Sequence, residues 1–304
     1  MKVRLLFAFI LFFSPYVKAQ QVATYAQYMF NGLAINPAYA GSHDAMSATL
    51  LARFQNVGLN GAPNTQTFSI HSPLPNKRVG LGLLVINDQI GVIDQKGVHA
   101  SYAYRLPMPK IKGVLSMGLQ AGISSYRALY SELDQWHMDD PAFASDVRQT
   151  RPNFGAGVML SSERWYAGVS MPHLANNVFD RGADLYTVYQ NVPLMVSGGY
   201  VFDLNRMLKL KPNLLFKLLD GRAVEFDLNT MLLFDEVIWF GVSYKFNNSL
   251  AMLTQFQITD QLQFGYSYTI TTGSIRRVEL GSHEVMLNYR FKFNKQAVIS
   301  PRYF

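Results

Sequence analysis

The chain has no cysteine, which excludes disulfides, thiolate metal sites and a cysteine nucleophile. Charge is also scarce: Asp, Glu, Lys and Arg supply 15% of the 304 residues, against roughly 25% in an average soluble domain. Lys and Arg are scattered, with no basic run of the kind that neutralises nucleic-acid phosphates, so no nucleic-acid partner is expected. Neither Gly-x-Ser-x-Gly nor His-Glu-x-x-His occurs. The mean hydropathy of +0.04 is too low for a helical membrane protein. What is abundant is apolar: 49% hydrophobic and 13% aromatic residues. Low charge, neutral hydropathy and many aromatics together point to a protein whose apolar residues face lipid.

The N-terminus fits that expectation. Lys2 and Arg4 precede an apolar run from Leu5 to Phe13, broken by Ser14-Pro15, and Val17-Lys18-Ala19 has the small-x-small pattern of a signal-peptidase site. A charged start, a short apolar core and a small-residue site make a secretory signal over 1–19. Nine apolar residues fall well short of the ~20 that a membrane-crossing helix needs. Gln20 is the expected first mature residue. Loss of Lys2, Arg4 and Lys18 lowers the formal charge from +7 to +4.

From Ala45 onward the dominant signal has period two. In Gln261–Ile270, Leu262, Phe264, Tyr266, Tyr268 and Ile270 share one face, while Gln261, Gln263, Gly265, Ser267 and Thr269 share the other. Successive strand side chains point to opposite faces, so such a strand divides an apolar medium from a wet one. Leu208–Leu218, Val224–Leu232 and Glu284–Phe293 repeat the pattern, and no segment shows a 3.6-residue period. Segments bounded by turn residues give about fourteen strands, near 45–54, 64–71, 77–87, 95–106, 112–126, 151–161, 163–171, 190–202, 207–218, 222–233, 236–246, 249–258, 261–271 and 281–293. Nearly all have at least the ~9–11 residues of a tilted membrane strand rather than the ~5–6 of a soluble one. Short connections at one end and the long connections Arg127–Thr150 and Pro172–Tyr189 at the other fit periplasmic turns and external loops. Tyr102, Tyr104, Tyr200, Phe202, Tyr244, Phe246, Phe291 and Phe293 are expected in interfacial girdles.

Lipid offers backbone groups no hydrogen-bond partner, so a spanning sheet must close. The expected fold is all-β: a transmembrane outer-membrane β-barrel of about 14 antiparallel strands over 45–293, preceded by a short periplasmic lead-in or plug segment over 20–44 and followed by a tail over 294–304. A soluble β-sandwich or lipocalin-like barrel would carry its charge outside and need more than 15%.

Alternation places Arg53, Arg105, Lys209, Lys211, Lys217, Lys245, Arg290 and Lys292 inward, offset by Glu225, Asp227 and Glu284. Any water-facing wall carries such charges. Gly80, Gly82, Gly118, Gly122, Gly155 and Gly157 give the inner face small side chains, leaving lumen space or letting an inserted segment approach the backbone. The pairs His99/Ser101, His71-Ser72 and Ser282-His283 lack the third, orienting group of a hydrolase triplet. Asp134, His137, Asp139 and Asp140 read as an acidic surface loop more readily than as a cation site. No catalytic, metal or cofactor site is expected.

Four aromatics lie in Gln20–Asp44, within Tyr25-Ala-Gln-Tyr-Met-Phe-Asn31 and Asn36-Pro37-Ala38-Tyr39-Ala40-Gly41. That is too many for a simple linker, and Asn-Pro with the closing Gly marks a fixed turn. Following a signal peptide, these motifs resemble the PorP/SprF family of type IX secretion system membrane proteins, as does the ending Ser300-Pro-Arg-Tyr-Phe304. The resemblance implies a non-enzymatic barrel in the outer membrane of a Gram-negative bacterium. It implies partners as well: outer-membrane lipid, the C-terminal domain of large secreted cargo such as gliding adhesins, and other secretion components on the periplasmic side. It transfers no established site residues, so Asn36, Pro37, Ala38, Tyr39, Ala40 and Gly41 are marked only as matching positions of potential binding. A passive channel for small solutes or apolar ligands is the competing function for a barrel of this size.

Overall fold

The structure, a computed structural model, describes residues 25–132, 146–174, 177–179, 188–190, 193–219, 222–246, 248–272 and 274–291. The signal segment, the acidic stretch containing Asp134, His137, Asp139 and Asp140, and the tail with Lys292, Phe293 and Phe304 lie outside these residues. The strands are β1 (Ser47–Phe54), β2 (Asn64–Pro73), β3 (Val79–Ile90), β4 (Ile93–Met108), β5 (Gly113–Ala128), β6 (Val147–Ser162), β7 (Trp165–Met171), β8 (Asn177–Phe179) and β9 (Val188–Gln190). They continue as β10 (Leu194–Tyr200), β11 (Phe202–Asp203), β12 (Leu208–Leu219), β13 (Arg222–Phe234), β14 (Ile238–Lys245), β15 (Ser249–Gln257), β16 (Leu262–Thr271) and β17 (Ser282–Arg290).

Every strand of the main sheet pairs antiparallel with its sequence neighbour. The sheet closes where β1 meets β17, with Thr49 opposite Asn288. β11 pairs β12 just below β10, so the two short strands form one interrupted wall element. Counted that way the barrel has fourteen staves, as the alternation predicts, while β8 and β9 form a separate hairpin. Closure leaves no open edge to lipid, the condition for crossing a bilayer.

Burial alternates along the staves as the pattern requires. In β4 the buried side chains are His99, Ser101, Ala103 and Arg105, and in β17 Ser282, Glu284, Met286 and Asn288. Outward residues such as Leu119, Ile123, Phe154, Phe240 and Met252 are more than half exposed. The register across β4, β5 and β6 shows the lipid band directly. Rows Leu106–Leu115–Leu160, Tyr104–Met117–Val158, Tyr102–Leu119–Ala156, Ala100–Ala121–Phe154 and Val98–Ile123–Pro152 are all apolar or aromatic. From Met108 to Val98 the band is about 26 Å tall at ~3.4 Å per residue and ~40° tilt, matching the ~25 Å apolar belt of outer-membrane barrels. Tyr102 and Tyr104 therefore lie near the middle of this band, not in a girdle at its edge.

Several boundaries differ from the sequence reading. β4, β5 and β6 are longer than expected, because the alternation continues with polar residues beyond the apolar band. β3 and β4 consequently meet at a tight turn through Gly91 and Val92, and the connection after β5 shrinks to 129–146. The expected strand 190–202 begins only at Leu194, since Gln190 belongs to the β8–β9 hairpin. Among the described residues the remaining local structure is short 3-10 turns, and no helix is long and apolar enough to cross a membrane.

Candidate functional site

Residues 25–44 do not hang below the barrel. Three 3-10 turns, Tyr28–Phe30, Gly32–Ala34 and Pro37–Tyr39, fold the segment into the lumen, where Tyr28, Leu33, Ala38 and Ala40 are almost fully buried. Asn36 nucleates the last turn. Its backbone is extended, its Oδ1 accepts the Ala38 amide at 2.9 Å, and Pro37 occupies the first position, where a missing N–H costs nothing.

Apolar contacts hold the segment on two sides. Tyr25, Tyr28, Met29 and Ile35 pack with Leu51, Leu215, Met231, Leu233, Trp239 and Leu253 from the wall. Leu33, Ala38, Tyr39 and Ala40 pack with Leu84, Ala103 and Met159 on another arc. These are the inward-facing apolar residues that alternation alone left without a partner. Buried Lys211 lies over the rings of Phe30 and Trp239, at 5.0 and 5.5 Å, a cation–π geometry.

The glycine face explains how close this packing is. A Cβ on Gly118 would lie 2.1 Å from the Ala38 nitrogen, and one on Gly80 would lie 2.0 Å from the Ala40 oxygen. The inserted backbone touches the wall backbone there, which is the second of the two roles the sequence left open for these glycines.

Polar contacts fix the register. The amides of Ala26 and Gln27 both donate to the Glu284 carboxylate, at 3.0 and 2.8 Å, with Arg53 4.0 Å away. Gln255 donates to Gln27 Oε1 at 3.2 Å. Ser69 donates to Asn31 Oδ1 at 2.8 Å. Asn36 Nδ2 donates to the Val158 carbonyl at 3.2 Å, and Ser170 donates to the Ile35 carbonyl at 2.8 Å. At the periplasmic end the Gly41 amide donates to His71 Nδ1 at 3.3 Å, and Tyr39 hydrogen-bonds His43 at 3.1 Å. A cavity of about 30 Å³ remains beside Tyr28, Asn36, Met159 and Tyr166, enough for about two waters.

The structure thus brings Asn36, Pro37, Ala38, Tyr39, Ala40 and Gly41 together, at most 8% exposed where quantified, against the barrel's own wall. Some of the inward charges pair: Glu225 bridges Lys217 and Lys245, at 3.1 Å each, Arg53 lies 4.0 Å from Glu284, and Lys209 pairs with Glu236 of the β13–β14 turn. The histidine–serine pairs are not joined to each other. Ser72 donates to Pro73, His283 bonds Tyr266 at 2.7 Å, and Ser282 accepts the Asn56 amide. His99 stacks edge-on to His173, which comes from the segment after β7 and contacts Asn153. Burial, with His99 next to it, lowers the His173 pKa to about 4, so this imidazole is neutral. Sequence reasoning missed His173 altogether, and it placed Glu284 inward without showing it as the acceptor for the plug's amides. Nothing in a linear pattern shows which inward carboxylate meets an inserted backbone.

No curated protein matches the chain in sequence. Among solved structures, a FadL homologue of Pseudomonas aeruginosa is 15% identical with a TM-score of 0.49, over 87% of this chain and 94% of that one. Omp33 of Acinetobacter baumannii is 11% identical with a TM-score of 0.48, over 83% and 100%. The CymD monoaromatic hydrocarbon channel is 12% identical with a TM-score of 0.49, over 89% and 94%. Residues 17–289 match the family described as type IX secretion system membrane protein PorP/SprF. With that match spanning nearly the whole chain, this plugged outer-membrane barrel belongs to the PorP/SprF family of type IX secretion system membrane proteins.

Proposed function

We propose that the protein is a non-enzymatic barrel component of the type IX secretion system that supports export or surface anchoring of large secreted proteins, gliding adhesins among them, by docking their C-terminal domain. One observation supports this over a passive channel. Residues 25–44 fold into the lumen and are tied to the wall by apolar contacts and at least eight hydrogen bonds spread around it. A conduit would need that segment displaced; a docking platform needs it in place, because a filled barrel presents rigid rims and loops. The periplasmic turns are the surface for other secretion components, and the external connections the surface for cargo. On this reading, the family-like motif Asn36–Gly41 acts within the chain, shaping the plug, rather than touching a partner.

The test is a mild-detergent pull-down of the tagged protein from its native outer membrane. Stoichiometric recovery of a large secreted protein, lost when that protein's C-terminal domain is removed, is the expected result. Recovery of the barrel alone, with secretion and surface display intact in a deletion strain, would overturn the proposal.

A further inference from the structure

β4, β5 and β6 rise past the lipid band, and their outward face changes character there. One row above Val98, Ile123 and Pro152 come Lys96, Ser125 and Thr150; the next row is Asp94, Arg127 and Arg148. Thr150 donates to Ser125 at 3.5 Å. At the rise and tilt used above, Lys96 stands about 5 Å and the arginines about 10 Å beyond the last apolar row, the depth of the ~5–8 Å headgroup layer and its outer edge.

Arg127 lies directly opposite Arg148 in the ladder. Like charges facing each other across a strand pair are destabilising unless an anion sits between or above them. Both are exposed, and neither makes an ion pair within 4.0 Å among the described residues. Two carboxylates are near. Asp94 is the cross-strand neighbour of Arg127. Asp146 is engaged by Ser131, whose amide and hydroxyl donate to its Oδ1 at 3.1 and 2.9 Å. These hydrogen bonds, together with Arg148 and Arg127, hold its carboxyl below the usual range.

We propose that Lys96, Arg127 and Arg148 form a site for the phosphate groups of the outer-leaflet glycolipid. The lipid source follows from position: the site is continuous with the surface that acyl chains cover. Guanidinium groups bind phosphate oxygens bidentately, and the row of Ser125 and Thr150 supplies hydroxyls to the sugar. The bound lipid would relieve the Arg127–Arg148 opposition and fix the outer half of this wall. The inference is independent of the secretion role.

The experiment places the full chain in phosphatidylcholine nanodiscs doped with bisphosphorylated lipid A or with its dephosphorylated form. Retained lipid is read by native mass spectrometry, and stability by the thermal midpoint. The phosphorylated form is expected to be retained at least tenfold better and to raise the midpoint. The double variant R127Q/R148Q is expected to lose that preference, since each basic group at an anionic surface contributes about a factor of five. K110Q/K112Q, in the opposite-end turn, is expected to keep it. Equal retention of the two lipids by the wild-type chain overturns the proposal, and does so even if the double variant fails to fold. A stabilisation reproduced in full by inorganic phosphate also overturns it, since the site would then serve a free anion.

Discussion

The backbone amide of Gln27 donates to Glu284 Oε1 at 2.8 Å, across 257 residues of sequence. Ala26 donates to the other carboxylate oxygen, so one side chain of the last stave receives two consecutive amides of the plug. Replacing Glu284 by Ala leaves both N–H groups without an acceptor, at a cost of about 1–3 kcal/mol each. Hydrogen exchange at Ala26 and Gln27 should accelerate at least tenfold, while the Tyr39 and Ser42 amides, bonded within their own turns, keep their rates. Uniform acceleration through 25–44 would instead mean that the plug moves as one body.

Gly118 meets the plug backbone where a methyl group has no room. Gly118→Ala should destabilise the plugged state by about 1–3 kcal/mol, the usual cost of overpacking, while lipid-facing Ala121→Val stays near neutral. Because the chain has no cysteine, a single Ala34→Cys substitution reports plug exposure without background. Maleimide labelling of that thiol should quicken in the Gly118→Ala background and not in the Ala121→Val background.

Asn36 does two jobs that different substitutions separate. Asn36→Asp keeps the oxygen that caps Ala38 but loses the amide that donates to Val158. Asn36→Ala loses both. The thermal midpoint should fall in the order wild type, Asp, Ala, with the cap contributing about 1 kcal/mol. Equal midpoints for all three would remove Asn36 from the account.

His173 gives a pH dependence with a defined sign. Its folded pKa of about 4 lies below the ordinary ~6.5, so between these values the unfolded state holds a proton that the folded state does not. Stability therefore rises with pH through this window and falls on acidification from about 6.5 to 4. The wild-type midpoint should drop more over that range than the midpoint of His173→Gln, measured by thermal unfolding in detergent at fixed ionic strength.

The barrel was legible because its driving force is periodic. Leu262, Phe264, Tyr266, Tyr268 and Ile270 announce a lipid face whatever they pair with, and closure follows from the medium. The ends of β4–β6 were not legible, since Lys96, Ser125 and Thr150 break the apolar face while the ladder runs on. The plug was half legible. Its aromatics and the Asn36-Pro37 turn marked a fixed element, and the wall glycines left room for one, yet no pattern in either could match Ala38 to Gly118. Such contacts are non-local and carry no period. The inward apolar residues Leu51, Met231 and Leu253 were the overlooked signal, for a water-filled lumen has no use for them.

The account turns on a lumen closed by residues 25–44, and single-barrel recording in planar bilayers tests this most directly. The full chain should insert without steady conductance above the bare membrane, and a chain lacking 25–44 should open a stable, salt-dependent one. Steady ohmic conductance from the intact chain would contradict the plugged barrel and return the protein to the passive channels.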